Sequence, residues 1–322
     1  MIRRNTIFFK FIKKCEMPPK ESFFWLTMNL LFNSTLVLLG RFLLVLLKKK
    51  RKGSFQYVLM ASKNMGDILF LYRSLDELKR LNCFNNIIIV ADNMFRKPLE
   101  ALGVKHFRII SFWKIMAMDK AVQLYPDRYK NIVVSQPWYF FGVRNINSNS
   151  VLRTLPCHAS DETIRKLFPK ASMRGNSVVL SPYEQTISLH KLCLPPWDFW
   201  TKLTDNLREN GFFVFTNCNG KTEKPIDGTA VFYPPLEELA GTVEYAGYCI
   251  SLRSGFTDWI SSAKLKKEVV LYPTKRFFED YNINLLWDKK LALEYIYGES
   301  NINIDELINI IIKYLVGGEN CK

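Results

Sequence analysis

Histidine is nearly missing from this chain: His106, His158 and His190 lie far from one another, and although Cys157 and Cys193 stand near two of them, no further His or Cys adjoins either pair to complete a ligand set. That scarcity argues against a zinc site, structural or catalytic, and against a Ser-His-Asp hydrolase. Paired cysteines are missing as well. The seven cysteines form no C-x-x-C, are odd in number and in several cases sit inside apolar strand-like runs, so reduced thiols in a cytosolic compartment are expected. Neither G-x-G-x-x-G nor G-x-x-x-x-G-K-[ST] occurs, which counts against a dinucleotide dehydrogenase and a Walker-type nucleotidase. There is no low-complexity tract, and 48% of the 322 residues are hydrophobic, enough for a substantial core in two domains plus an attachment.

Acidic residues are scarce in one place only. Residues 1–53 carry twelve Lys/Arg against Glu16 and Glu21, so +10 of the chain's formal +15 sits there and the remainder is mildly basic. With no basic-aromatic module in that remainder, nucleic acid is not an expected partner. Phe23 to Leu47 is long enough to cross a bilayer, yet it holds Asn29, Asn33 and Arg41 and has positive charge on both flanks, ending in Lys48-Lys-Lys-Arg-Lys52. Charge on both sides gives no orientation for a single span, and no small-residue cleavage site follows the apolar run. Three outcomes stay open: a segment lying in an anionic membrane interface, a buried helix covering the first domain, or a transmembrane anchor. Both membrane outcomes leave the globular body on the cytosolic side.

Beyond Gly53, short β-rich runs alternate with longer amphipathic ones, the rhythm of a doubly wound α/β architecture. Strands are expected at Phe55–Ala61, Asn86–Ala91, Phe107–Ser111 and Asn131–Ser135, with helices at Ile68–Leu81 and Phe95–Leu102. Residues 136–170 read as cleft-lining loops and an interdomain connection. A second series follows, with strands at Ser177–Ser181, Phe212–Thr216, Ala230–Tyr233, Tyr248–Leu252 and Glu268–Tyr272, helices between them, and a closing apolar helix at Asp305–Val316. The expected organisation is a membrane-association segment (1–53), an acceptor domain (54–170), a donor domain (171–300) and a C-terminal helix near the domain junction (301–322).

Two strand-to-helix corners stand out, Ala61-Ser-Lys-Asn-Met-Gly-Asp67 and Ser251-Leu-Arg-Ser-Gly-Phe-Thr-Asp258. Open α/β sheets bind ligands at the carboxyl ends of their strands, where free N–H groups and the helix dipole favour an anion. Strand ends in the second half collect Ser181, Tyr183, Thr216 and Asn217 with Arg253, Ser254, Gly255, Phe256, Thr257 and Asp258, a set suited to a nucleoside diphosphate. Glu237 or Glu238 is placed to accept from a ribose. Arg253 either contacts phosphate or forms an ion pair with a carboxylate such as Asp258, which is otherwise a first-turn helix charge. Asp67 either caps its helix or acts as a general base, and Lys63 either meets an anionic acceptor or is a solvated loop lysine.

The run Ala61 to Phe70 resembles the first strand-loop-helix of heptosyltransferase-type glycosyltransferases (family 9 and relatives), whose Gly-Asp carries the catalytic aspartate. The second half is similar too, through Val178-Val-Leu-Ser-Pro-Tyr183, Pro195-Pro-Trp-Asp-Phe-Trp200, Gly211-Phe-Phe-Val-Phe-Thr-Asn217, Leu236-Glu-Glu-Leu239 and Ile250 to Gly255, so the likeness covers roughly residues 55–275. It departs where Arg253 replaces an acidic residue before Ser254-Gly255, and where Asp258-Trp259 stands in the place of a following His.

The resemblance implies a GT-B fold, two Rossmann-like domains facing a cleft; the N-terminal helical segment ahead of them is expected, from its own composition, to associate with a membrane. The resemblance also implies inverting, metal-independent transfer with Asp67 as base and Ser254-Gly255 on the donor phosphates; Lys63, Asn64 and Gly66, in the same corner as Asp67, are expected on the acceptor side. No cofactor is expected beyond the nucleotide-sugar co-substrate. Expected partners are that donor, a capsule, lipopolysaccharide or lipid-linked acceptor and an anionic membrane surface, at the cytoplasmic face of a bacterial inner membrane. Asn64-Met-Gly-Asp67 with Ser251-Leu-Arg253 is also similar to polysaccharide pyruvyltransferases, and a non-catalytic assembly factor on the same fold is the third possibility.

Overall fold

The computed structural model describes residues 23–49, 56–60, 65–82, 87–129, 132–135, 153–183, 194–284, 292–298 and 303–317. Helix α1 (Phe23–Lys49) leads to β1 (Gln56–Met60), α2 (Met65–Asn82), β2 (Ile87–Ala91), α3 (Arg96–Ala101), β3 (Phe107–Ile109), α4 (Phe112–Leu124) and β4 (Ile132–Ser135). After α5 (Asp161–Leu167) come β5 (Ser177–Ser181), α6 (Trp197–Glu209), β6 (Phe213–Asn217), β7 (Ala230–Phe232), α7 (Leu239–Ala246), β8 (Gly247–Leu252), α8 (Gly255–Trp259), β9 (Lys267–Tyr272), α9 (Lys275–Tyr281), β10 (Ala292–Ile296) and α10 (Ile304–Val316).

Two sheets result, ordered β3-β2-β1-β4 and β10-β9-β8-β5-β6-β7. Every pairing in the six-stranded sheet is parallel, and β1 pairs parallel with β2. In that larger sheet the chain winds from β5 through β6 to β7 in one direction, and from β8 through β9 to β10 in the other. The winding therefore reverses between β5 and β8, where the crossovers part and leave a crevice at the carboxyl ends. Ser181 and Ser251 sit in register at those two ends.

By their internal contacts the residues fall into two compact units: Met1–Ala61 with Asn86–Asn93 and Arg108–Val134, and Ser62–Asn85 with Met94–Phe107 and Ser135–Lys322. In the first unit, apolar strands such as Ile87–Ala91, buried along their whole length, meet α4 through Ile115, Met118, Ala121 and Val122. Helix α1 then lies on α4. Its Leu44 and Leu47 join the same core, the Tyr57 hydroxyl donates to the Leu47 carbonyl at 3.2 Å, and a Cβ on Gly40 would stand 2.0 Å from the Ala117 carbonyl oxygen. Only glycine lets the two backbones approach so closely. Among the described residues no helix is long and apolar enough to cross a membrane.

In the second unit, Val178, Leu180, Ile250, Leu252, Val269 and Leu271 present one sheet face to Phe199, Trp200, Leu203 and Leu207 of α6. The closing helix α10, expected beside the domain junction, belongs to this core: Leu307, Ile308, Ile311 and Leu315 are buried in it. Four elements were not anticipated. Helix α4 and strand β10 extend the two layers, α5 occupies a stretch read as irregular, and α9 one to which no element was assigned.

A strap, Arg153–Ser160, explains why α2 belongs with the C-terminal half. At one end the Arg153 guanidinium forks onto Asp76 at 2.5 and 2.6 Å, and the backbone N–H of Arg153 donates to the Arg73 carbonyl. Further along, the His158 backbone lies so close to Gly241 that a Cβ there would meet it at 2.2 Å. At the far end Ser160 caps α5 and bonds Glu238.

Candidate functional site

The strand ends at the β5/β8 switch carry polar residues. Ser181 is buried and its hydroxyl accepts from Asn217 Nδ2 at 3.1 Å, tying the ends of β5 and β6 together. Ser251 Oγ, on the neighbouring strand end, is buried without a hydrogen-bond partner among the described residues. A buried hydroxyl left unpaired is costly. Tyr183 follows β5 directly; its hydroxyl donates to the Lys224 carbonyl at 2.5 Å and its ring lies 5.9 Å from that of Trp197, which is half exposed in the first turn of α6. Burial pushes the Tyr183 phenol above its usual pKa, so it stays a donor at neutral pH.

The second corner is held from within. Ser254 N-caps α8, accepting from Phe256 N–H at 3.2 Å, while Thr257 Oγ1 accepts from Ser254 N–H at 3.2 Å to complete a capping box. Arg253 is only 4% exposed. Its Nε donates to the Tyr281 carbonyl at 2.7 Å, Nη1 to the Ser254 carbonyl and Thr257 Oγ1 at 2.7 and 2.8 Å, and Nη2 to Asp258 Oδ1 at 2.7 Å. Burial alone would disfavour its charge, but the carboxylates of Asp258 and Glu294 raise the pKa above the ordinary arginine value. Of the two roles open for Arg253 in the sequence, the ion pair is therefore the one realised. The guanidinium braces the turn and is not presented as a bare cation, because four of its five N–H groups already have internal acceptors. Asp258, also buried, is correspondingly more than a first-turn charge.

The brace continues outward. Tyr272, fully buried at the end of β9, hydrogen-bonds Glu294 through its hydroxyl, and both accept from Ile283 N–H, at 3.0 and 2.7 Å. Burial drives the Tyr272 phenol far above its normal pKa. Glu294 lies on β10, a half-buried edge strand to which no element was assigned in the sequence.

The first corner touches the second. A Cβ on Gly66 would fall 2.4 Å from Asp258 Oδ2, so that carboxylate sits against the first turn of α2 while its other oxygen holds Arg253. A helix N-terminus carries positive partial charge, which suits a buried anion. Asp67, one residue on and partly exposed, is thereby placed beside the 253–258 turn inside a single compact unit. Lys63 and Asn64 lie outside the described residues.

Two expected donor contacts have structural partners. Thr216 Oγ1 is buried, accepts from Ile226 N–H at 3.1 Å and pairs with Thr229 Oγ1 at 2.7 Å, which secures the 226–229 turn. Glu238 accepts from Ser160 N–H at 2.8 Å and from Ser160 Oγ at 2.9 and 3.1 Å, and these bonds hold its pKa below the usual carboxylate value. A carboxylate has lone pairs to spare for a further donor. Gly255 and Phe256 are half-buried at the start of α8, while Thr257 is consumed by the brace.

No family model matches the sequence, and no curated protein matches it. Among solved structures the fold is similar to that of E. coli ADP-heptose LPS heptosyltransferase II, with a TM-score of 0.53 at 12% identity over 81% of this chain and 98% of that one. It is also similar to a family 9 glycosyl transferase from Veillonella parvula, with a TM-score of 0.50 at 11% identity over 80% of this chain and 90% of that one. At such identities the likeness is one of fold: a mixed α/β frame with parallel sheets, of the heptosyltransferase type.

Proposed function

We propose that this chain is a glycosyltransferase that moves a sugar from a nucleotide-sugar donor to a cell-surface glycan, either capsule, lipopolysaccharide or a lipid-linked precursor, at the cytoplasmic face of a bacterial inner membrane. The observation that carries the proposal is the Gly66–Asp258 contact. It sets Asp67 next to the strand-end crevice of a sheet whose winding reverses there, on a frame shared with solved glycosyltransferases.

In this mechanism the nucleoside diphosphate occupies the β5/β8 crevice, with Ser181, Ser251 and Asn217 at its floor and the Ser254-Gly255 backbone toward the phosphates. The Tyr183 and Trp197 rings offer an apolar wall for a base or sugar. Asp67 accepts the acceptor's hydroxyl proton as that oxygen forms a bond to the anomeric carbon. The carbon–oxygen bond to the diphosphate breaks, and the leaving oxygen departs with the electron pair as nucleoside diphosphate. Attack opposite the leaving group inverts the anomeric configuration, and no metal enters the step. Lys63, Asn64 and Gly66 lie on the acceptor side. Arg253 acts as a positioning residue, through Asp258 and the shape of the turn.

Mass-spectrometric screening of the full chain against a panel of nucleotide sugars tests this directly. One or more donors should yield nucleoside diphosphate and a glycosylated acceptor or water product, and free nucleoside diphosphate should protect the protein against thermal unfolding. Protection by phosphoenolpyruvate in its place would point to pyruvyl transfer, and a folded protein indifferent to both would point to a scaffold.

A further inference from the structure

We propose that one face of α1 beds in the headgroup layer of an anionic bilayer and holds the protein on the membrane surface without crossing it. This deepens the location proposed above and rests on it for the identity of the membrane; the sugar-transfer chemistry stands or falls separately.

The argument starts from helical geometry. At 100° per residue, and among the α1 side chains described (31–47), Leu31, Leu38, Leu39, Phe42, Val45 and Leu46 share one side with only Ser34 and Thr35, and all eight are exposed. Leu38 and Phe42 are 64% and 60% exposed, among the most exposed apolar side chains described. The opposite side, with Gly40, Leu44 and Leu47, is the one committed to α4. A helix apolar on both sides but covered on one needs a second apolar medium. A lone membrane-crossing helix would be surrounded by lipid, whereas α1 rests on protein through Gly40, Leu44 and Leu47.

Charge selects the occupant. Helix α1 contains no acidic residue, and the unbroken Lys48-Lys-Lys-Arg-Lys52 begins where its last buried leucine ends. Six further Lys/Arg precede it between residues 3 and 20. Such flanks are drawn to anionic headgroups and repelled by a second copy of themselves, so a lipid surface fits better than self-association. At the margin of the exposed side Arg41 stacks over the half-exposed Tyr125 ring at 5.3 Å, a pairing with an apolar body and a charged tip suited to the depth of the interface.

The test is co-sedimentation of the full chain with phosphatidylglycerol-containing vesicles and with purely zwitterionic ones. Binding should need the anionic lipid, weaken with salt, and fall at least tenfold in the combined variant Leu38→Gln, Phe42→Gln, Val45→Gln. Because those side chains are exposed, turnover on a water-soluble acceptor should be unchanged, which separates this proposal from the transferase assignment. Phe42→Trp keeps the apolar character and reports depth: quenching by bromine near the glycerol region supports the proposal, and quenching only by bromine at the acyl termini overturns it. Absence of vesicle binding, equal binding by the triple variant, or a dimer that the triple variant dissociates would each overturn it too.

Discussion

The two strand-to-helix corners look alike in sequence, a short glycine-containing loop opening a helix that bears an aspartate, but they are built for opposite tasks. At the 253–258 corner almost every polar group is spoken for by its neighbours: Arg253, Thr257 and Asp258 satisfy one another and the Ser254 cap. At the 66–67 corner, glycine leaves room for the other corner's carboxylate, and Asp67 remains partly open to solvent. One corner is a rigid mould, and the other sets the proposed base, Asp67, beside it. The resemblance implies an acidic residue and a histidine around the mould, whereas this chain carries Arg253 and Asp258, a pair of reversed polarity that locks the turn internally.

That contrast can be broken from either side. The largest expected effect is on turnover: Asp67→Asn should lower it by roughly 10²–10⁴-fold, the range of general acid–base catalysis, while the unfolding midpoint moves little. Nucleoside diphosphate release and thermal melts on the same sample check both halves. Asp258→Asn should do the reverse in kind, costing roughly 3–5 kcal/mol in chemical denaturation because Arg253 is left buried and unpaired. Changing both, Arg253→Met with Asp258→Leu, should cost less than the sum of the singles, and strict additivity would dissolve the brace.

Gly66→Ala should couple the corners. Its Cβ would collide with Asp258 Oδ2, so a stability loss of about 1–3 kcal/mol should come together with a loss of turnover. The smallest effect belongs to Glu238→Gln at the end of the strap. The folded-state pKa of Glu238 is depressed, so its contribution is present above the unfolded value of about 4.3 and is lost as pH falls through the lower folded value. Wild type and variant should therefore differ slightly in melting temperature at pH 7 and converge in acid. A gap that widens in acid would remove Glu238 from the strap's hold.

Much of the frame was readable because its strands are continuous apolar runs: Ile87–Ala91, Ser177–Ser181 and Lys267–Tyr272 announce themselves by burial on both faces. Helix α4 did not, since it is sandwiched between a sheet and α1 and so lacks the single apolar stripe that marks a surface helix. Helix α5 buries no side chain at all. In the site, the strand-end positions of Ser181, Asn217 and Ser254 followed from the α/β rhythm. The Arg253–Asp258 ion pair was one of two roles open in the sequence, and burial decides between them; the reach of Glu294 to Tyr272, 22 residues apart on neighbouring strands, depends on a tertiary contact that no local pattern encodes.

The Gly40 contact carries a consequence for orientation. Rolling α1 by one residue's worth, about 100°, would bring Leu39 or Arg41 against the Ala117 carbonyl, where even one added carbon has no room. The helix is thus keyed like a shaft in its slot. Whatever medium receives its outer leucines meets the same ridge at the same angle in every copy of the molecule.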